Sequence, residues 1–218
     1  MDSMKPKDDK IIICVGRQVG SGGREIAKLL AEDLNCGFYN KEILDLAAKE
    51  SGLDEKFFEH NDENMRPFRS LLHFCPPFFA GITDTSSSLT QENLYKFQSD
   101  VIRRMAQEGS CVFVGRTADY ILRDMKGMVS VFITDSLENR IRRVSQRHNL
   151  TPEQAERYIK EKEATRSSFY GFYSGKKWGS SESYDLCLNS GLLGIEGTER
   201  FIADFVSRVG AKAKEAKA

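Results

Sequence analysis

The chain has no C-x-x-C pair, only three histidines among 218 residues, and no excess of charge of either sign. Each shortage excludes something. With 32 acidic and 32 basic residues, nothing in the net charge points to nucleic acid or an anionic membrane as partner, so any basic site must be local. The five cysteines (Cys14, Cys36, Cys75, Cys111, Cys187) are scattered, three of them within apolar, strand-like runs. They fit small buried hydrophobes in a reducing compartment. His60, His73 and His148 lack neighbours at ligand spacing, which argues against a histidine metal centre. No His or Cys-His constellation for nucleophilic catalysis is present. Residues 1–10 are polar without an apolar leader core, and no stretch approaches the length of a membrane span, so a cytoplasmic protein is expected. No internal repeat occurs.

What is present is a sharp transition at residues 11–27. The apolar run Ile11-Ile12-Ile13-Cys14-Val15 passes into Gly16-Arg17-Gln18-Val19-Gly20-Ser21-Gly22-Gly23-Arg24-Glu25 and then into helical periodicity. Strand, glycine-rich loop and helix form a phosphate cradle, because glycines let several backbone N–H groups converge on one anion at the positive end of the helix dipole. The implied ligand is a nucleotide, with Gly16, Arg17, Gly20, Ser21, Gly22, Gly23 and Arg24 as its candidate contacts. The usual nucleotide loop places four residues between its glycines and follows them with Lys-Ser/Thr. Here five residues separate Gly16 from Gly22, and Gly23-Arg24 stand in place of Lys-Ser/Thr. Arg24, in the first helical turn, is the expected substitute for the lysine, ahead of Arg17 or Lys28. Ser21 is the only hydroxyl nearby for a metal, and the metal expected with ATP is Mg²⁺.

Downstream, apolar runs alternate with helical patterns, which argues for an α/β layer architecture around a largely parallel sheet in one domain. The spacing predicts helices over residues 23–35, 41–51, 91–108, 137–148, 152–170 and 198–209. It predicts strands over residues 37–40, 111–115, 128–134 and 184–189. Thr151, Pro152 and Gln154 form a helix start of the capping-box type. Residues 53–90 break the rhythm with two adjacent prolines and many phenylalanines, as expected of an ordered substrate-binding insertion. The tail, residues 211–218, is expected to fray.

Open α/β sheets hold ligands at the carboxyl ends of their strands. The polar candidates there are Tyr39 and Asn40, Arg116 and Asp119, Thr134-Asp135-Ser136 leading to Arg140, and Asp185 through Ser190. Arginines suit phosphoryl transfer because their planar forks bind phosphate bidentately and stay charged. Arg116 is the candidate to hold an acceptor phosphate, while Arg140 and Arg166 are the candidates to reach the transferring group. Glu163 and Arg166 also fit a simple helix pair, and Asp185 also fits a residue that fixes the entry of its strand.

Gly16-Arg17-Gln18-x-Gly20-Ser21-Gly22-Gly23-Arg24-Glu25-Ile26-Ala27, Gly115-Arg116-x-Ala118-Asp119-Tyr120-Ile121-Leu122, Val131-Phe132-Ile133 and Tyr184-Asp185-Leu186-x-Leu188-Asn189 together resemble the cytidylate kinase-like family. The likeness runs over about residues 10–209, in the family's order. It implies a three-layer P-loop kinase fold with a five-stranded parallel sheet in the order 2-3-1-4-5. It also implies an acceptor-binding insertion and a helical lid over about residues 151–179. On the resemblance, Arg116 would bind the acceptor phosphate, with Tyr39, Asp119 and Asp185 on the same side. Arg166, in Lys162-Glu163-x-x-Arg166, would be a lid arginine, with Glu163 where the family carries aspartate.

Three functions fit these features: an ATP-dependent kinase for a nucleoside monophosphate, with CMP or dCMP foremost; a kinase for another small metabolite; and a nucleotide-binding regulator without transferase activity. The partners expected are a nucleoside triphosphate and a small acceptor, with no nucleic acid and no membrane; oligomeric state stays open.

Overall fold

The computed structural model of the chain describes residues 10–40 and 91–215. The expected helix at residues 41–51 and the insertion at residues 53–90 lie outside the described residues.

Five strands, β1 (Ile12–Arg17), β2 (Gly37–Tyr39), β3 (Cys111–Val114), β4 (Met128–Thr134) and β5 (Leu186–Asn189), form one sheet in the order β2-β3-β1-β4-β5. Every neighbouring pair is parallel. This is the 2-3-1-4-5 order that the resemblance implied. The strands read as continuous apolar runs because both faces are covered. Ile13, Val15, Val112, Val131 and Ile133 pack on one face against Ile26 and Leu30 of α1 (Gly23–Asp33) and Ile202 of α6 (Ser190–Glu215). Ile12, Cys14 and Phe113 pack on the other against Ile102 and Ala106 of α2 (Gln91–Glu108) and Leu122, which follows α3 (Ala118–Ile121).

The remaining helices, α4 (Leu137–His148) and α5 (Pro152–Ser174), pack on each other through Val144, Ala155 and Ile159, which also reach Val19 of the loop. Ser136 caps α4 by accepting from the Asn139 N–H at 3.2 Å. The capping box at α5 is present: Thr151 Oγ1 accepts from the Gln154 N–H at 3.3 Å, and Gln154 Oε1 accepts from the Thr151 N–H at 2.9 Å. That helix runs past the expected residue 170 to Ser174, ending at Gly175 in the left-handed region.

Three boundaries differ from the sequence expectation. The short helix α3 follows β3 directly, so the polar residues after Arg116 start a helix rather than a loop. The strand expected from Tyr184 begins at Leu186, because Ser181–Ser183 form a 3₁₀ turn first. The last helix begins at Ser190, breaks at Gly194 and continues to Glu215, beyond the expected residue 209 and into the tail expected to fray. Cys187 also departs from expectation. Cys14 and Cys111 are buried, whereas Cys187 is exposed, because on the edge strand β5 it alternates with the inward-facing Leu186 and Leu188. Among the described residues, no helix is long and apolar enough to cross a membrane.

Candidate active site

The loop after β1 is held in shape by side chains from three helices. Ser21 is fully buried, and its hydroxyl donates to the Gln18 carbonyl at 3.0 Å. Ser190 Oγ donates to the Ser21 carbonyl at 2.7 Å, joining the loop to the start of α6. The Gln18 side-chain oxygen accepts from the Asp135 N–H at 3.2 Å. Gly22 is the N-cap of α1 at φ 76°, and no side chain caps that helix. The first-turn N–H groups thus point into the loop without a side-chain oxygen on them, the arrangement that accepts an anion.

Charge converges on the same loop. Glu163 Oε1 of α5 accepts from the Val19 N–H at 3.1 Å and from Arg140 Nη1 at 2.6 Å. Arg166 Nη1, four fifths of a helical turn further on, donates to the Arg17 carbonyl at 3.1 Å. Burial lowers the Arg166 pKa while Glu163 beside it works the other way, and the guanidinium remains charged. Arg143 of α4 donates to the Gly20 carbonyl at 3.1 Å and pairs with Asp135. Arg140 keeps its buried Nε without a hydrogen-bond partner among the described residues. Both arginines singled out for the transferring group therefore lie on the loop, drawn there by α4 and α5.

Asp135, at the end of β4, locks this corner. Burial raises its pKa, but hydrogen bonds from Asn139, Arg143 and the Ser136 N–H outweigh burial and hold the carboxyl below its ordinary value. Neither Asp135 nor Ser190 carries a recognisable motif; their roles come from hydrogen bonds that only the assembled fold creates.

After β3, Arg116 and Thr117 both adopt the left-handed region, at φ 59° and 53°. The Arg116 guanidinium carbon lies 5.9 Å from the Phe169 ring centroid of α5. Tyr95 of α2 hydrogen-bonds Thr117 Oγ1 at 2.9 Å and stacks on Tyr173 of α5 with centroids 3.6 Å apart. The end of α5 therefore places the Phe169 ring over Arg116 and the Tyr173 ring against Tyr95.

Four further residues of the expected site are placed as follows. Ser21 Oγ closes the loop against the Gln18 carbonyl. Tyr39 stacks on Phe113 at 5.2 Å, and a Cβ on Gly37 would lie 2.9 Å from its hydroxyl, so the ring points back toward the amino end of the sheet. Asp185 Oδ2 accepts from the Ser130 N–H at 2.8 Å and Oγ at 2.7 Å, so it fixes the entry of β5 onto β4 away from the carboxyl edge. Arg24 is exposed on the first turn of α1, beside Glu25, which pairs with Arg147.

Asp119 accepts from the Tyr170 hydroxyl at 2.6 Å, tying α3 to α5. Burial pushes its carboxyl above the ordinary value, although the Tyr170 hydrogen bond pulls down, and burial raises the Tyr170 and Tyr184 phenols as well. An unfolded aspartate titrates near about 3.9. With the folded pKa higher, ionisation weighs against folding as pH rises from that value, and the penalty levels off above the folded pKa. Asp119→Asn is therefore expected to gain stability over the wild type at pH 8, by a margin that shrinks toward pH 4. Urea unfolding at both pH values checks this, and a pH-independent margin would exclude the carboxyl as its source.

The cytidylate kinase-like family model matches residues 12–192. The chain belongs to the cytidylate kinase-like family. A cytidylate kinase of Methanocaldococcus jannaschii is 23% identical over 206 residues, covering 91% of this chain and 99% of that protein. An uncharacterised protein of Eubacterium ventriosum has a similar solved structure, with TM-score 0.70 and 28% identity, covering 91% of this chain and 99% of that one. A gluconokinase of Sinorhizobium meliloti superposes with TM-score 0.54 at 15% identity, covering 96% and 99% of the two chains. At that identity the gluconokinase supports the P-loop kinase fold alone. Within this cytidylate kinase-like protein, the family match spans the loop, Arg116, Arg140 and Arg143 of α4, Glu163 and Arg166.

Among the described residues, no group of three His, Cys, Asp or Glu side chains is placed to hold a metal. The loop hydroxyl and Asp135 are both engaged within the protein.

Proposed function

We propose that the protein transfers the γ-phosphoryl group of ATP to a nucleoside monophosphate, with CMP or dCMP as acceptor. The observation that carries this reading is the gathering of Arg140 and Arg166 on an uncapped helix N-terminus, across the carboxyl edge of the sheet from Arg116. The loop amides take the triphosphate. Arg140 and Arg166 neutralise charge on the transferring oxygens, and Arg116 holds the acceptor phosphate in line. An acceptor phosphate oxygen forms a bond to the γ-phosphorus as its bond to the β–γ bridging oxygen breaks, and ADP leaves with the electron pair. A monophosphate acceptor is already largely ionised at neutral pH, so the reaction needs no general base. The α5 helix covers the site and limits water, and Mg²⁺ accompanies the nucleotide.

The test is ADP release with ATP and Mg²⁺ against CMP, dCMP, UMP and AMP, with gluconate in the same panel because of the gluconokinase fold neighbour. Turnover with one monophosphate supports the reading. Transfer only to a sugar acid or similar metabolite replaces the acceptor, and ATP binding without transfer to any acceptor makes the protein a nucleotide sensor. Within that assay Arg116→Ala is expected to lower kcat/KM for the acceptor roughly ten- to hundredfold, with ATP affinity retained. Loss of ATP affinity instead would place Arg116 in the donor half.

A further inference from the structure

We propose that Arg17, not Arg24, supplies the cation of this lysine-free phosphate loop, its side chain filling the space from which a lysine at position 23 would rise. The inference rests on the loop as a triphosphate cradle and is independent of the acceptor.

Gly23 stands directly after Gly22, where the usual loop carries its lysine. A Cβ built on Gly23 falls 2.6 Å from Arg17 Cβ and 3.1 Å from Arg17 Cγ. Non-bonded carbons prefer about 3.5–4.0 Å, so a side chain at position 23 and the Arg17 side chain exclude each other. The lysine is therefore replaced as well as missing: the stem of an arginine from the end of β1 occupies its volume.

The far end of Arg17 is placed as firmly. A Cβ on Gly115 would run into Arg17 Nη1 and lie 3.2 Å from Arg17 Cζ, so the guanidinium rests on the bare backbone after β3. The Gly115 N–H donates to the Val15 carbonyl at 3.1 Å, which keeps that backbone beside β1. The guanidinium thus lies where the carboxyl ends of β1 and β3 part, next to Arg116, in the crevice where open α/β sheets take ligands. Two glycines, at positions 23 and 115, form its seat. Arg166 holds the Arg17 carbonyl from α5, so the same residue links the loop to the covering helix.

Arg24 is exposed on the first turn of α1. Counting along the sequence from the last glycine favours Arg24, because it ignores that a strand residue six positions earlier occupies the space above Gly23.

The test is calorimetric titration of ATP with Mg²⁺ into the full-length wild type and five variants, with circular dichroism and Tm as checks of folding. Arg17→Ala is expected to weaken ATP binding roughly tenfold or more, and Arg24→Ala by clearly less. Gly23→Lys alone is expected to lower both Tm and affinity, because its Cβ meets Arg17. Combined with Arg17→Gly, which removes the obstructing stem, Gly23→Lys is expected to restore affinity well above that of Arg17→Gly alone. Equal losses in Arg17→Ala and Arg24→Ala would overturn the assignment. A folded double variant that binds no better than Arg17→Gly would do the same. A wild type that binds no nucleoside triphosphate removes the cradle itself, whereas ATP binding without turnover of any monophosphate removes only the acceptor.

Discussion

Arg140→Ala is expected to destabilise the protein by about 3 kcal/mol, because it leaves Glu163 half-enclosed against the loop without its counter-charge. The pair is 2.6 Å apart, and the two side chains are only 9% and 20% exposed, so water cannot replace the lost partner freely. The effect reaches beyond α4, since the same Glu163 oxygen holds the Val19 N–H. Urea unfolding measures the loss. The double variant Arg140→Met with Glu163→Gln separates stability from chemistry, because the glutamine oxygen still accepts from Val19 while no buried charge remains. It is expected to recover most of the stability and to remain defective in phosphoryl transfer. Full activity in the double variant would reduce Arg140 to a structural strut.

Phe132→Ala is expected to lose about 3–5 kcal/mol, the usual range for emptying a buried phenylalanine site. Phe132 is 1% exposed and sits mid-strand in β4, on the face where the end of the covering segment comes down. Its ring meets Trp178 edge-on at 5.2 Å and Tyr184 at 4.8 Å. A Cβ on Gly16 would lie 2.7 Å from it and one on Gly179 3.1 Å, so the first residue of the loop and the turn after α5 are both shaped around this ring. Trp178 is the sole tryptophan, so its fluorescence reports the change directly. Lower Tm with a red-shifted emission is expected. A loss below about 1 kcal/mol would mean that the neighbours close over the cavity, a collapse at odds with so many contacts to separate elements.

The sheet was legible because buried parallel strands must be apolar on both faces. Runs such as residues 11–15 and 111–114 therefore stand out without knowledge of their partners. The helix start at Thr151 was equally legible, since capping is local chemistry. The short helix α3 was not, because four residues carry no periodicity to detect. The side-chain directions of Tyr39 and Asp185 were not legible either. Both are polar residues beside a strand, and position alone does not tell the end that faces ligand from the end that faces the core. Tyr39 turned toward Gly37, and Asp185 found Ser130 on the adjacent strand.

The sequence by itself determined the strand, glycine loop and helix at residues 11–27, the alternating elements that make an α/β sheet, and the shortage of groups for metal or thiol chemistry. Those follow from local propensity, periodicity and composition, which each short segment carries on its own. Only the tertiary structure decided which cations meet at the loop. Arg17, Gly23, Gly115, Arg140, Glu163 and Arg166 span 150 positions of the chain, and their convergence depends on β3 and β4 flanking β1 and on α5 crossing the loop. Those placements are set by long-range packing, a physical constraint that no window of sequence contains.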